Sequence, residues 1–169
     1  MSNTNSFEAT YGGDGWSPRT LSLQQELGTL WRACGINSEW APLKTVLLHS
    51  PGDELKASLE DYDAVQMLEP IDVPKAQAQY DGIVAAYKKA GVEVFFVEPE
   101  EPATPNQMFV ADLMVATPEG VIVARPASTV RAGEERWVAR RLADMGVPIV
   151  KSVRGNGTLE GAEDRKSVV

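Results

Sequence analysis

Two segments far apart in the chain match without a gap across the end of a helix and the start of a strand. They are "IVAAYKKAGVEVFFV" from Ile83 and "VARRLADMGVPIVKS" from Val138. Ile83 aligns with Val138, Tyr87 with Leu142, Gly91 with Gly146, and Val92 and Val94 with Val147 and Ile149. Each segment opens with helical spacing, meets a glycine suited to a helix end, and continues as a short apolar run. "VLLHSP" at 46–51 likewise resembles "VIVARP" at 121–126. The chain therefore reads as a strand–helix–strand unit used twice, with intervening loops of different length. Such a unit stacks against copies of itself, radially or as a solenoid, and a ring of them brings strand ends near a common axis. Any two amphipathic helices followed by Gly-Val look somewhat alike, but this match crosses an element boundary without a gap.

The remaining elements follow from local chemistry. Gly12, Gly13, Gly15 and Pro18 break any regular element, so residues 1–20 read as a mobile arm. "LSLQQELGTLWRACGI" at 21–36 has helical spacing at Leu23, Leu27, Leu30 and Trp31. Strands are expected at 43–50, 92–97, 108–116, 121–125 and 147–152, and helices near 75–90 and 132–145. Pro74 suits a first helical turn, and Tyr80, Ile83, Val84, Tyr87 and Ala90 give that helix one apolar stripe. Residues 53–73 look acidic and irregular. Pro118-Glu119-Gly120 joins two strands as a hairpin. The organisation expected is an N-terminal arm and helix over 1–40 and a domain over 41–169.

With 169 residues the chain can bury one core, and 43% hydrophobic with 24% charged residues describes a globular protein. Sixteen basic against 24 acidic residues give a net charge of −8. That balance argues against a nucleic-acid binder, which needs a basic face, and disfavours an anionic membrane surface. No apolar run reaches the length of a membrane span, and the polar N-terminus lacks the pattern of a signal peptide. The lone cysteine, Cys34, leaves no intrachain disulfide framework, so the cytoplasm is the expected compartment. No metal-ligand spacing appears, and no metal or cofactor is expected.

One acid stands inside an apolar run. In "MFVADLMVAT" a strand would place Phe109, Ala111, Leu113 and Val115 on one face and Met108, Val110, Asp112 and Met114 on the other. Asp112 is costly there unless paired or hydrogen-bonded. Two readings stand: an edge-strand acid with a solvated face, or a carboxylate that grips a cation in a half-dry pocket. A second acidic cluster lies in "GNGTLEGAEDRKSVV", where Gly155, Gly157 and Gly161 allow close backbone approach around Glu160, followed by Glu163 and Asp164. Taken alone, it is a solvated acidic turn. Two carboxylates converging from different loops suit a planar guanidinium with its five donors.

"PNQMFVADL", then "GVIVARPASTVRAGEE", then "GTLEGAED" resembles, in order and spacing, the guanidino-group-modifying enzymes. These are the amidinotransferases, arginine deiminases and dimethylarginine dimethylaminohydrolases, transferases and hydrolases of arginine metabolism. The resemblance runs from about Trp16 to Asp164. It implies an α/β fold, the pentein propeller of five ββαβ units, here partial: about two units plus the start of a third, with 41–169 as the partial catalytic domain. It implies that Asp112 and Glu160 hydrogen-bond the guanidinium of arginine or an arginine-like compound. Asn106 and Arg131 lie where some members contact the substrate's amino-acid end, although Arg131 reads equally well as a solvated residue at a helix start. The chemistry implied is attack of a Cys thiolate on the guanidinium carbon, with a His moving protons and no cofactor.

The sequence departs from that pattern. The family's His follows the "EGAD" motif and its Cys lies near the end of the full chain, so both would fall beyond Val169. Cys34 and His49 match neither position; Cys34 beside Trp31 reads as a packing residue, and His49 as structural or solvated. Glu163 stands where Asp is expected, and a short apolar stretch of the family pattern is missing after "EGA". The expectation is a truncated or internally deleted pentein without turnover of its own. It would be either a fragment that binds guanidino ligands or a half complemented by a separate chain carrying the His and Cys, with a homo-oligomer a further option.

Overall fold

The computed structural model describes residues 12, 13, 15–38 and 40–163. Its order is α1 (Leu23–Glu26), β1 (Thr45–Leu48), α2 (Ala57–Asp61), α3 (Val73–Lys89), β2 (Glu93–Phe96), β3 (Met114–Thr117), β4 (Gly120–Val123), α4 (Glu134–Asp144) and β5 (Ile149–Ser152). Short 3-10 turns stand at Asp53–Lys56, Val110–Leu113, Thr129–Arg131 and Gly161–Glu163. β1 and β2 pair in parallel; β4 lies between antiparallel β3 and parallel β5. Among the described residues no helix is long and apolar enough to cross a membrane.

The repeat is present in backbone detail. α3 ends with Gly91 at φ +77° and α4 with Gly146 at φ +72°. Val92 N donates to Tyr87 O at 3.0 Å and Val147 N to Leu142 O at 2.9 Å; Ala90 and Met145 each close on the carbonyl four residues earlier. This is one helix stop, built twice on a left-handed glycine. Strand pairing repeats as well. Val46 faces Val94 in the first unit, and the aligned pair Val121 and Ile149 face each other in the second. A bulge between Val121 and Ile122 then shifts the second unit by one residue, so that Val123 faces Ser152.

The two units are not equally covered. Val138 is fully buried, with Leu142, beneath the three-stranded sheet, whereas the aligned Ile83 is 50% exposed. The first unit has only two strands to lay over α3, so its stripe is half covered. The core gathers Leu47 and Val97 from the first unit with Val110, Leu113, Met114, Val121, Val123, Val138, Leu142 and Val147 from the second.

Three expectations need correction. Residues 108–116 are not one strand. Phe109 N and Asp112 N donate to the carbonyls three residues back, at 3.0 and 3.1 Å, and wind Val110–Leu113 into a 3-10 turn before β3 begins. Val110 and Leu113 are both buried, as three-residue spacing dictates, so the alternating faces read for Asp112 do not exist. The helix expected over 21–36 stops after one turn. Gly28 sits at φ +84° and the Glu26 carbonyl collects Thr29, Leu30 and Trp31. The chain then runs beside the second unit, with Arg32 N on Gly146 O and Ile36 N on Thr117 O. Residues 53–73 are irregular only from 62 to 72: before that, the 3-10 turn and α2 bury Leu55 and Ser58 completely.

If the two glycine caps are equivalent, Gly91→Ala and Gly146→Ala each lose about 1 kcal/mol in urea unfolding, because both put a Cβ on a left-handed backbone. An added Cβ meets nothing within 4 Å at Gly91 and only Arg32, at 3.8 Å, near Gly146. A loss at one position alone contradicts the equivalence.

Candidate functional site

The segment "TPNQMFVADL" folds into successive tight turns around one arginine. Gln107 N donates to Thr104 O and Phe109 N to Asn106 O, each at 3.0 Å. The turns direct the carbonyls of Asn106 and Phe109 at the Arg131 guanidinium, 3.4 and 3.2 Å from Nη2. Arg131 closes the 3-10 turn Thr129–Arg131, started by the Ser128 side chain on Val130 N, and is only 7% exposed. A guanidinium that far from water needs anions. Glu134 Oε2 lies 2.9 Å from both Nε and Nη2, and Asp112 Oδ2 lies 2.5 Å from Nη1. Phe109 adds its ring face, 5.9 Å from the guanidinium carbon.

Burial opposes charge on both sides of this pair. It works against the charged form of Arg131, but Asp112 and Glu134 outweigh it and hold the guanidinium protonated. Burial pushes the Glu134 carboxyl above its ordinary value; Thr104 and Arg131 pull it back part of the way. The Thr104 hydroxyl donates to Glu134 Oε1 at 2.5 Å.

Asp112 is therefore a paired acid, neither a solvated edge acid nor a free one. Its side chain stays 20% exposed, and among the described residues no side chain bonds its Oδ1. Arg131, expected as a contact for a substrate's amino-acid end or as a solvated side chain, has its donors turned to Glu134, Asp112 and two carbonyls. Asn106 is buried and spends its amide on Val65 O at 2.9 Å.

Glu160 stands on a separate loop. Leu159 pairs with Arg125 as an isolated antiparallel bridge, at 3.0 and 2.9 Å, and Glu160 Oε1 accepts from Ala127 N at 3.4 Å. Gly161 then lies so close to the carbonyls of Ala111 and Met114 that no Cβ would fit. The backbone after Glu160 thus packs on the turn that carries Asp112. The Glu163 side chain and Asp164 lie outside the described residues.

Cys34 and His49 sit apart from this cluster. Cys34 packs against the core beside a cavity of about 500 Å³ shared with Leu47, Met114 and Leu142, and burial pushes its thiol above the ordinary range. His49 is buried, with Nδ1 2.9 Å from Val97 O and Nε2 3.6 Å from Glu54. Sequence reasoning missed Glu134 and Thr104. The three-residue spacing of Arg131 and Glu134 in "RAGEE" was the available signal for the first; nothing local marks Thr104.

Arg131→Met should cost about 3 kcal/mol or more at pH 7, because it strands a buried carboxylate. The sign with pH is fixed. Without Arg131 the folded-state pKa of Glu134 rises further above its ordinary 4.5. A raised acid is at its most stabilising below its unfolded pKa and loses that contribution as pH climbs through the folded one. The deficit of Arg131→Met, read by urea unfolding, should therefore shrink from pH 7 to pH 4.5; a deficit independent of pH contradicts this picture.

Comparison with known proteins gives two likenesses; no family model matches the chain. An arginine deiminase of Clostridium perfringens is 37% identical over 68 residues, which is 40% of this chain and 16% of that protein. Three solved structures of dimethylarginine dimethylaminohydrolase superpose on it. One, an adduct with S-methyl-L-thiocitrulline, has a TM-score of 0.59 at 24% identity, covering 70% of this chain and 45% of that one. An adduct with 4-chloro-2-hydroxymethylpyridine gives 0.58 at 23%, over 70% and 44%. A mutant from Pseudomonas aeruginosa complexed with citrulline gives 0.60 at 23%, over 72% and 46%. The chain spans less than half the length of each of these relatives. Both likenesses are to pentein proteins, and the fold of this chain is part of the pentein fold.

Proposed function

We propose that this chain is part of a pentein enzyme acting on the guanidino group of arginine or an arginine-like compound, with Asp112 and Glu160 as the carboxylates that receive the guanidinium. The observation that carries the reading is the packing of Gly161 on the carbonyls of Ala111 and Met114, which joins the Glu160 turn to the Asp112 turn. A guanidinium between them would satisfy Asp112 Oδ1 and Glu160 together by charge-assisted bonds. Asn106 and Arg131 belong to the same site, and the partners they have here suggest that they serve it by holding the Asp112 turn. The site would lie within the domain at 41–169, with 1–40 as arm and helix. The thiolate and the imidazole of the reaction are not assigned to Cys34 and His49: one thiol is held protonated by its burial, and neither side chain touches the carboxylates. The transferase, deiminase and dimethylaminohydrolase outcomes all remain within this proposal, and the cytoplasm fits a chain with one unpaired thiol.

A second reading adds a complementing polypeptide that brings the His and Cys. It is favoured by β5, whose four residues are all exposed, and by the half-covered stripe of α3. Apolar surface and an open strand edge of that kind call for a neighbour.

Arginine binding tests the site. By calorimetry, Asp112→Asn and Glu160→Gln should each weaken it by about 2 kcal/mol, roughly thirtyfold. The chain alone should release neither citrulline nor ornithine from arginine, and Cys34→Ser should leave binding unchanged. Release of citrulline that Cys34→Ser abolishes would overturn the assignment.

A further inference from the structure

Asp112 is already bonded to a cation of its own chain, which poses a physical difficulty for a second one. An Asp112–Arg131 pair is neutral and offers a guanidinium ligand a dipole in place of a charge. Glu134 changes that balance. It is 1% exposed and meets Arg131 on the Nε edge, while Asp112 meets it at Nη1. With Glu134 ionised the three groups carry one net negative charge. The geometry also divides the donors of Arg131. Nε and Nη2 go to Glu134 and to the carbonyls of Asn106 and Phe109, which leaves Nη1 for one oxygen of Asp112.

We propose that Glu134 is the positioning residue of the guanidinium site: it fixes Arg131 against Asp112 and supplies the negative charge that lets the Asp112 carboxylate take a cationic ligand. This rests on the reading of Asp112 as a ligand-binding carboxylate. Glu134 touches no ligand; it acts through Arg131. Thr104 belongs to the same device, because its hydroxyl donates to Glu134 Oε1 and so favours the ionised acid against the burial that disfavours it. Glu135, next along α4, opposes that ionisation weakly as a like charge.

The test uses the whole chain, Glu134→Gln, and methylguanidinium as the probe. Gln keeps the shape, turning its amide oxygen to Arg131 and its nitrogen to the Thr104 hydroxyl. Two readouts are taken by NMR shift: binding of the methylguanidinium cation, and binding of its neutral analogue methylurea. Removing the negative charge of Glu134 should weaken cation binding about tenfold and leave methylurea binding unchanged. A purely structural Glu134 would weaken both alike, and that result, or a folded Glu134→Gln with neither readout changed, overturns the proposal. Methylguanidinium that fails to bind even the unaltered chain overturns the guanidinium reading of Asp112 on which the proposal rests. Should Glu134→Gln fail to fold, Thr104→Val serves. It should move to higher pH the point at which acid abolishes probe binding, and an unmoved profile overturns the role given to Glu134.

Discussion

A guanidinium removed from water must recover its hydrogen bonds from the protein, and Arg131 recovers them from three parts of the chain at once. Glu134 stands on α4, Asp112 on the turn before β3, and the carbonyls of Asn106 and Phe109 on the loop that follows the first unit. One buried cation thereby fixes the segment between the two repeats to the helix of the second. The same cation decides what the acids can do. Glu134 is committed inward with Thr104, while Asp112 is held at one oxygen and its side chain stays partly exposed.

A second constraint, close backbone packing at Gly161, sets the Glu160 loop against the Asp112 turn. A side chain there would strike the carbonyls of Ala111 and Met114. Glycine admits the loop that carries Glu160, and the bridge between Arg125 and Leu159 fixes its approach. An arginine network and a glycine contact thus order two loops far apart in sequence against one another. The sheet supplies the platform, since β3 follows the Asp112 turn directly and Arg125 follows β4.

Much of the fold was legible because repetition makes its own control. The segments from Ile83 and Val138 share a helix stop, and the left-handed glycines and their bonds reproduce it in three dimensions. The structure adds what the two matches leave open, the pairing between strands: Val46 faces Val94 as Val121 faces Ile149. Where apolar residues ran together, periodicity misled. "MFVADL" has the composition of a strand, yet the backbone bonds after Pro105 wind it into a 3-10 turn, and composition carries no mark of that. The helix expected through Trp31 stops at Gly28, whose left-handed backbone breaks it despite the apolar spacing on either side. The acids at 112 and 160 stood out as charges in unusual surroundings. Glu134 did not, because in sequence it is one acid among several at the start of an amphipathic helix; its spacing from Arg131 is a weak signal, and burial is what sets it apart from Glu135.

The central claim is that two carboxylates on separate loops close on one guanidinium. A crystal structure of the chain grown with guanidinium chloride, with the cation read from a difference map calculated before it is placed, addresses this most directly. A planar cation bonded to Asp112 Oδ1 and to the Glu160 carboxylate is expected, with Arg131 still on Asp112 Oδ2. Carboxyl groups too far apart to touch one cation, or a guanidinium that displaces Arg131 from Asp112, would contradict it.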